Sequence, residues 1–180
     1  MMKNIKDYCS LFFILCGLSM FNAQNAVDSI SKTAQFDCKI TQTKQKMHNK
    51  YFVSAPELRL RANNQSYVYA LFQLGKRENK VFMYIRILDK NVCIKKDQIL
   101  DIQCLNGKVV SYKNDFHVNC DGIFVKKFNA KEIKNLSQSE MSIIKIYTYQ
   151  KNYEFLLSRT QNYNINNQLH CLSAYKIKQS

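Results

Sequence analysis

Short runs of β-branched and aromatic residues follow one another from Phe36 to Leu157, and turn signals separate most of them. "FDCKITQT" alternates, with Phe36, Cys38 and Ile40 on one side and Asp37, Lys39 and Thr41 on the other, the pattern of a half-buried strand. "HNKYFVSAPELRLRANN" reads as two short strands around Pro56, Leu58 and Leu60 inward and Arg59 and Arg61 outward. "SYVYALFQL" and "KVFMYIRIL" are apolar on both faces, as central strands are, with "GKREN" as the hairpin loop between them. "QILDIQCL" and "KVVSY" flank Asn106–Gly107, a strong hairpin signal. "GIFVKKF", "SIIKIYTYQ" and "NYEFLL" supply further strands. Gly75, Gly107 and Gly122 each fall at an expected turn.

Helical signals occur twice. "NAKEIKNL" opens with Asn129 as a cap and Glu132 three residues on, a capping box. "NINNQLHCLSAYK" places Ile165, Leu169 and Leu172 at helical spacing, so it should pack on the sheet. The expected fold class is α+β: a mainly antiparallel β-sheet meander with one short internal helix and a C-terminal helix.

The start of the chain bears on its compartment. In "MMKNIKDYCSLFFILCGLSMFNAQ", Lys3 and Lys6 precede an apolar run from Tyr8 to Phe21. The run is shorter than the roughly 20 residues of a membrane-spanning helix and reads as a secretory signal. Residues 1–23 are therefore expected to be removed, with Gln24 near the mature start and Gly17 and Ser19 marking an earlier alternative. Residues 24–34 form a linker and 35–177 a single domain. Leu15 before Cys16 and Tyr8 before Cys9 do not suit a lipid-anchoring signal, so the product is expected to be soluble, in the periplasm or outside the cell.

Export makes cysteine pairing the default. Cys38, Cys93, Cys104, Cys120 and Cys171 lie beyond the leader, an odd set. Cys104 continues the apolar face of Leu100 and Ile102 and suits a small core residue. The remaining four allow three connectivities. The preferred pairing is Cys93–Cys120 with Cys38–Cys171, and Cys104–Cys120 is the rival.

"VCIKKDQILDIQCLNGKVVSY", then "DFHVNCDGIFV", a short helix and "IIKIYTYQ" resemble a family of small exported α+β domains from Bacteroidota, over about residues 65–175. The family is uncharacterised and brings no functional residues. The resemblance implies secretion and an α+β fold, and it favours Cys93–Cys120.

The formal charge of +14 could suit an anionic partner. The lysines are scattered, however, with Lys95–Lys96 and Lys126–Lys127 the densest pairs. The abundance of Asn, Lys, Ile and Tyr, all with A/T-rich codons, accounts for the charge by composition, and no nucleic-acid partner is expected. Isolated glycines make neither a phosphate loop nor a dinucleotide fingerprint, and there is no HExxH, GxSxG or CxxC. Of the three histidines, His48, His117 and His170, the last two lie near Cys120 and Cys171, but these four lack the spacing of a known zinc finger. An EF-hand reading from His117 puts histidine in the place of the first aspartate and Phe128 in that of the bidentate glutamate. No cofactor, metal or catalytic residue is expected. Tyr67, Tyr69, Tyr84, Tyr112, Tyr147 and Tyr149 fall in expected strands and could form a ligand face, although tyrosine is also an ordinary strand former.

"DFHVNCDG" gathers potential ligands most densely. Read as a regular strand, it sends His117 and Cys120 to opposite faces, with Cys120 inward. The resulting expectation is an exported, non-enzymatic binding or interaction module. The alternatives are a small exported hydrolase or enzyme inhibitor with a site of dispersed residues, and a basic protein that binds anionic surfaces.

Overall fold

The computed structural model describes residues 38–44 and 51–178. The expected leader (1–23), the expected linker (24–34) and His48 lie outside the described residues. The strands are β1 (Thr41–Lys44), β2 (Tyr51–Ser54), β3 (Leu58–Arg61), β4 (Tyr69–Arg77), β5 (Lys80–Leu88), β6 (Ile99–Cys104), β7 (Val109–Lys113), β8 (Ile123–Phe128), β9 (Met141–Tyr147) and β10 (Asn152–Leu156). The helices are α1 (Ala130–Ser137) and α2 (Arg159–Ala174). The fold is α+β, with every strand pair antiparallel among the described residues.

The strands divide into two sheets. One runs β1-β2-β4-β5-β8, with β3 also paired to β4; the other runs β10-β9-β6-β7. The sheets touch where Ala62 bridges Phe155, and Asn63 N–H donates to the Glu154 carbonyl at 2.7 Å. Their inner faces share one core. Leu60, Phe72, Leu74, Met83, Ile85 and Phe124 enter from the first sheet, and Leu100, Ile102, Ile144, Ile146 and Phe155 from the second. Ile165, Leu169 and Leu172 of α2 complete it. Each such side chain contributes about 1.5–3 kcal/mol through burial.

Both helices begin with a capping box. Asn129 and Glu132 form the first, while Ser158 and Gln161 form the second. The Ser158 cap starts α2 several residues before its apolar spacing becomes visible. At the other end of α2, Lys76 enters the core side of β4 and donates to the carbonyls of Leu172 (2.9 Å), Ser173 (3.2 Å) and Tyr175 (2.7 Å). A cation is favoured there because the last helical carbonyls carry the negative end of the dipole. Burial lowers the Lys76 pKa, but all three donors are occupied and the amine is sequestered.

Cys93 is bonded to Cys120 and Cys38 to Cys171, whereas Cys104 is a free, buried thiol on β6. The first bridge ties the loop after β5 to the loop before β8. The second fastens the start of the described chain to α2. By loop-closure entropy each stabilises the fold by ~2–4 kcal/mol.

Several local expectations need correction. The chain from Cys38 to Ile40 is not a strand, and Cys38 is exposed; β1 starts at Thr41. Gly75 is not at a turn. It lies inside β4 under the Phe52 ring, and a Cβ there would stand 2.5 Å from Phe52 Cζ. The β4–β5 turn is instead at Glu78–Asn79, with Glu78 at φ +54°. Tyr67 and Tyr149 lie in exposed turns rather than strands.

Candidate interaction face

"DFHVNCDG" folds as a loop with one isolated bridge, Asn119 to Ile94, and not as a regular strand. Cys120 is exposed, so the inward orientation expected from alternation is wrong. Side-chain amides replace the ladder. Buried Asn114 accepts from Phe116 N–H and Val125 N–H, and donates to the carbonyls of Lys95 and Phe116. Asn119 accepts from Ile123 N–H and donates to the Ile123 carbonyl. Gly122, at φ +70°, closes the turn so near β5 that a Cβ would meet the Ile87 carbonyl at 2.7 Å. These bonds and the Cys93–Cys120 bridge make the segment structural. Its His117 is exposed against Phe116, with ring centroids 3.8 Å apart.

The histidine–cysteine set does not converge. No group of three potential ligands forms a metal site among the described residues, and the Cys120 and Cys171 sulfurs are committed to disulfides. Asp89, Tyr112 and Tyr153 carry shifts poorly suited to acid–base work, and the lowered amine of Lys76 is tied up by three carbonyls. Asp89 is held below the usual carboxylate value, first by its hydrogen bond with Lys151. Tyr112 and Tyr153 are pushed up to about 12, chiefly by burial. A general acid or base works best with a pKa near the operating pH, and these shifts lead away from it.

The sequence-predicted tyrosines are dispersed. Tyr112 is buried, and Tyr147 lies on the outer face of the four-stranded sheet. Tyr69 and Tyr84 lie on the outer face of the six-stranded sheet. That last surface has a composition of its own. Strand register aligns Arg59, Leu71, Arg86 and Ile123 in a row across β3, β4, β5 and β8. Gln73, Tyr84 and Val125 form the next row, and Ser54, Gly75, Phe82 and Lys127 the one after. Arg61, Tyr69 and Leu88 align beyond the first row.

Missing Cβ atoms and edge contacts shape this face. Phe52 lies over Gly75 and meets Tyr84 edge-on, at 6.1 Å and 78°. The Phe82 ring is 6.0 Å from that of Tyr84. A depression of ≈ 400 Å³ opens beside them, lined by the side chains of Leu71, Tyr84 and Ile123 and by Arg77, Arg86 and Glu57. Burial raises the Tyr84 pKa, and the positive charge of Arg77 opposes the rise. Arg59 stacks 4.3 Å from the Tyr69 ring centroid.

The arginines are concentrated here. The chain has five, namely Arg59, Arg61, Arg77, Arg86 and Arg159, against twenty-two lysines. All but Arg159 stand on the outer face of the six-stranded sheet, by the register above. Among the described residues, no ion pair joins Arg59, Arg61 or Arg86 to a carboxylate. Lys127 adds a further cation, and its pKa is lowered first by the hydrogen bond and charge of adjacent Lys80. A wider hollow of ≈ 610 Å³ lies near the Lys95–Lys96 turn, but its Asp101 already accepts from Ser111 and Tyr147.

Compared with known proteins, the chain matches no family model, no curated protein and no solved structure. No helix among the described residues is long and apolar enough to cross a membrane.

Proposed function

We propose that the protein is an exported, non-enzymatic binding module, related to the small exported α+β domains of Bacteroidota, whose interaction surface is the outer face of the six-stranded sheet. The observation that carries this reading is the half-exposed apolar and aromatic surface of Phe52, Leu71, Phe82, Tyr84 and Ile123 within a field of arginines. Aromatic residues and arginine are enriched in protein interfaces, and lysine is depleted. Solvated sheet faces carry interspersed polar groups instead. The two disulfides suit an oxidising compartment, and the leader supplies the route to it. Lysines stand on both sheets, Lys80 and Lys127 on one and Lys113 and Lys145 on the other, which favours a local interaction face over general adhesion to anionic surfaces.

The test uses a photo-crosslinking residue placed at Arg86 or, on the opposite sheet, at Ser111, in the cells that make the protein. Adducts formed from position 86 and not from 111, with the protein in the exported fraction and its leader cleaved near Gln24, are the expected result. Equal adducts from both positions would remove the case for this face. Retention in the cytoplasm would overturn export.

A further inference from the structure

Building on that reading of the sheet face, we infer that its occupant is an acidic protein segment, in which an aliphatic or aromatic side chain enters the depression and flanking carboxylates meet the arginines. The inference rests on the choice of cation. Composition explains a chain rich in lysine, but not the gathering of four of its five arginines on one sheet face. Arginine differs from lysine in presenting a planar fork of donors that matches a carboxylate in two parallel hydrogen bonds. Arg59 is already oriented by stacking on Tyr69. Arg86 lies between Leu71 and Ile123 in the same cross-strand row. An anion held there is next to an apolar floor.

That juxtaposition selects among anionic partners. Leu71 and Ile123 in the depression offer dispersion contacts to an apolar side chain but no hydrogen bonds to hydroxyls or base edges. A sulfated glycan or a nucleic acid would satisfy the cations and leave the aliphatic floor against polar groups. A peptide with Asp or Glu on either side of Leu, Ile or Phe satisfies both. Glu57 is the one carboxylate at the rim, and like-charge repulsion would keep the segment's acidic groups toward the arginines. The volume of ≈ 400 Å³ falls within the range of small-ligand sites, enough for a side-chain anchor rather than a folded element.

The experiment is panning of a displayed random-peptide library on the full disulfide-bonded protein, with counter-selection against an Arg59→Gln/Arg86→Gln variant. The expected peptides carry Asp or Glu flanking an aliphatic or aromatic residue. They should bind the variant roughly tenfold or more weakly, and lose affinity as salt rises. Arg86→Lys keeps the charge and removes the fork, so it should also weaken them. Basic or neutral winners, equal binding to the double variant, or no winners at all would overturn the inference. So would tighter binding of heparin or single-stranded DNA than of the selected peptides. The underlying reading is judged separately by the photo-crosslinks: adducts at position 86 without acidic peptide binding would reject only the partner chemistry.

Discussion

The outer faces of the two sheets are built on the same antiparallel ladder and treat charge in opposite ways. On the four-stranded sheet, Ser111, Asp101, Lys145 and Glu154 stand side by side across β7, β6, β9 and β10. Ser111 and Tyr147 donate to Asp101 at 2.6 and 2.9 Å, and Lys145 meets Glu154 at 2.8 Å. On the six-stranded sheet the corresponding row is Arg59, Leu71, Arg86 and Ile123, where positive charge alternates with aliphatic surface. One face settles its electrostatics within the chain. The other leaves cations and apolar area together, and a partner can supply what both lack. Folding alone gives no reason for the difference, because solvent-facing strands are satisfied by interspersed polar pairs.

Tyr84 and Tyr147 make a matched pair for testing this contrast, each on the outer face of its own sheet. The largest expected effect is on binding. With an acidic peptide selected on the wild type, Tyr84→Ala should weaken affinity about 30-fold, the equivalent of ~2 kcal/mol for an interface anchor. Tyr147→Ala should leave it unchanged. Calorimetric titration of both variants decides the matter, and similar losses from the two would erase the distinction between the faces.

Gly75→Val comes next. The new Cβ would stand 2.5 Å from Phe52 Cζ, so the ring must swing off the sheet and the wall of the depression goes with it. Phe52 is the end of a flexible side chain, and the cost in stability should be about 1 kcal/mol. Peptide binding should fall by more than that cost suggests. Urea denaturation and binding assays on the same sample separate the two effects. Binding that survives would mean Phe52 is no part of the contact surface.

The sequence carries the strands and the core better than it carries these faces. Alternation at Leu100, Ile102 and Cys104 marks an inward face because burial acts on each residue separately, and all three are buried. Asn129 and Glu132 mark a helix start because the capping box is local. Local pattern fails where partners are distant. Lys76 reads as a loop lysine until α2, ninety-six residues later in sequence, supplies the Leu172 carbonyl. Gly75 reads as a turn until Phe52 is folded over it. "DFHVNCDG" has strand-like parity, yet Asn114 and Asn119 give its backbone a competing set of hydrogen bonds, and alternation lapses. The arginine face is hidden for the same reason. Arg59 and Arg86 are distant in sequence, and only the β3–β4–β5 register makes them neighbours.

The smallest effects separate the two tyrosines by stability and pH. Tyr147→Phe removes the hydrogen bond to Asp101 and should cost about 1 kcal/mol near neutral pH. Tyr84→Phe should cost less, because Tyr84 gains from burial of its ring and makes no hydrogen bond through its hydroxyl among the described residues. The Tyr147 pKa is raised, first by the hydrogen bond to Asp101 and then by burial. A raised folded-state value means the contribution is complete below the unfolded phenol value of about 10 and is lost as pH rises through the folded one. The stability gap between wild type and Tyr147→Phe should therefore narrow as the solution becomes alkaline, with phenolate absorbance locating the transition. Asp101→Asn removes the negative charge that opposes ionisation of Tyr147, and should bring that titration down while leaving Tyr84 where it is. A gap that stays constant with pH would show that the Tyr147–Asp101 bond does not hold in solution, and the four-stranded face would lose its claim to internal charge balance.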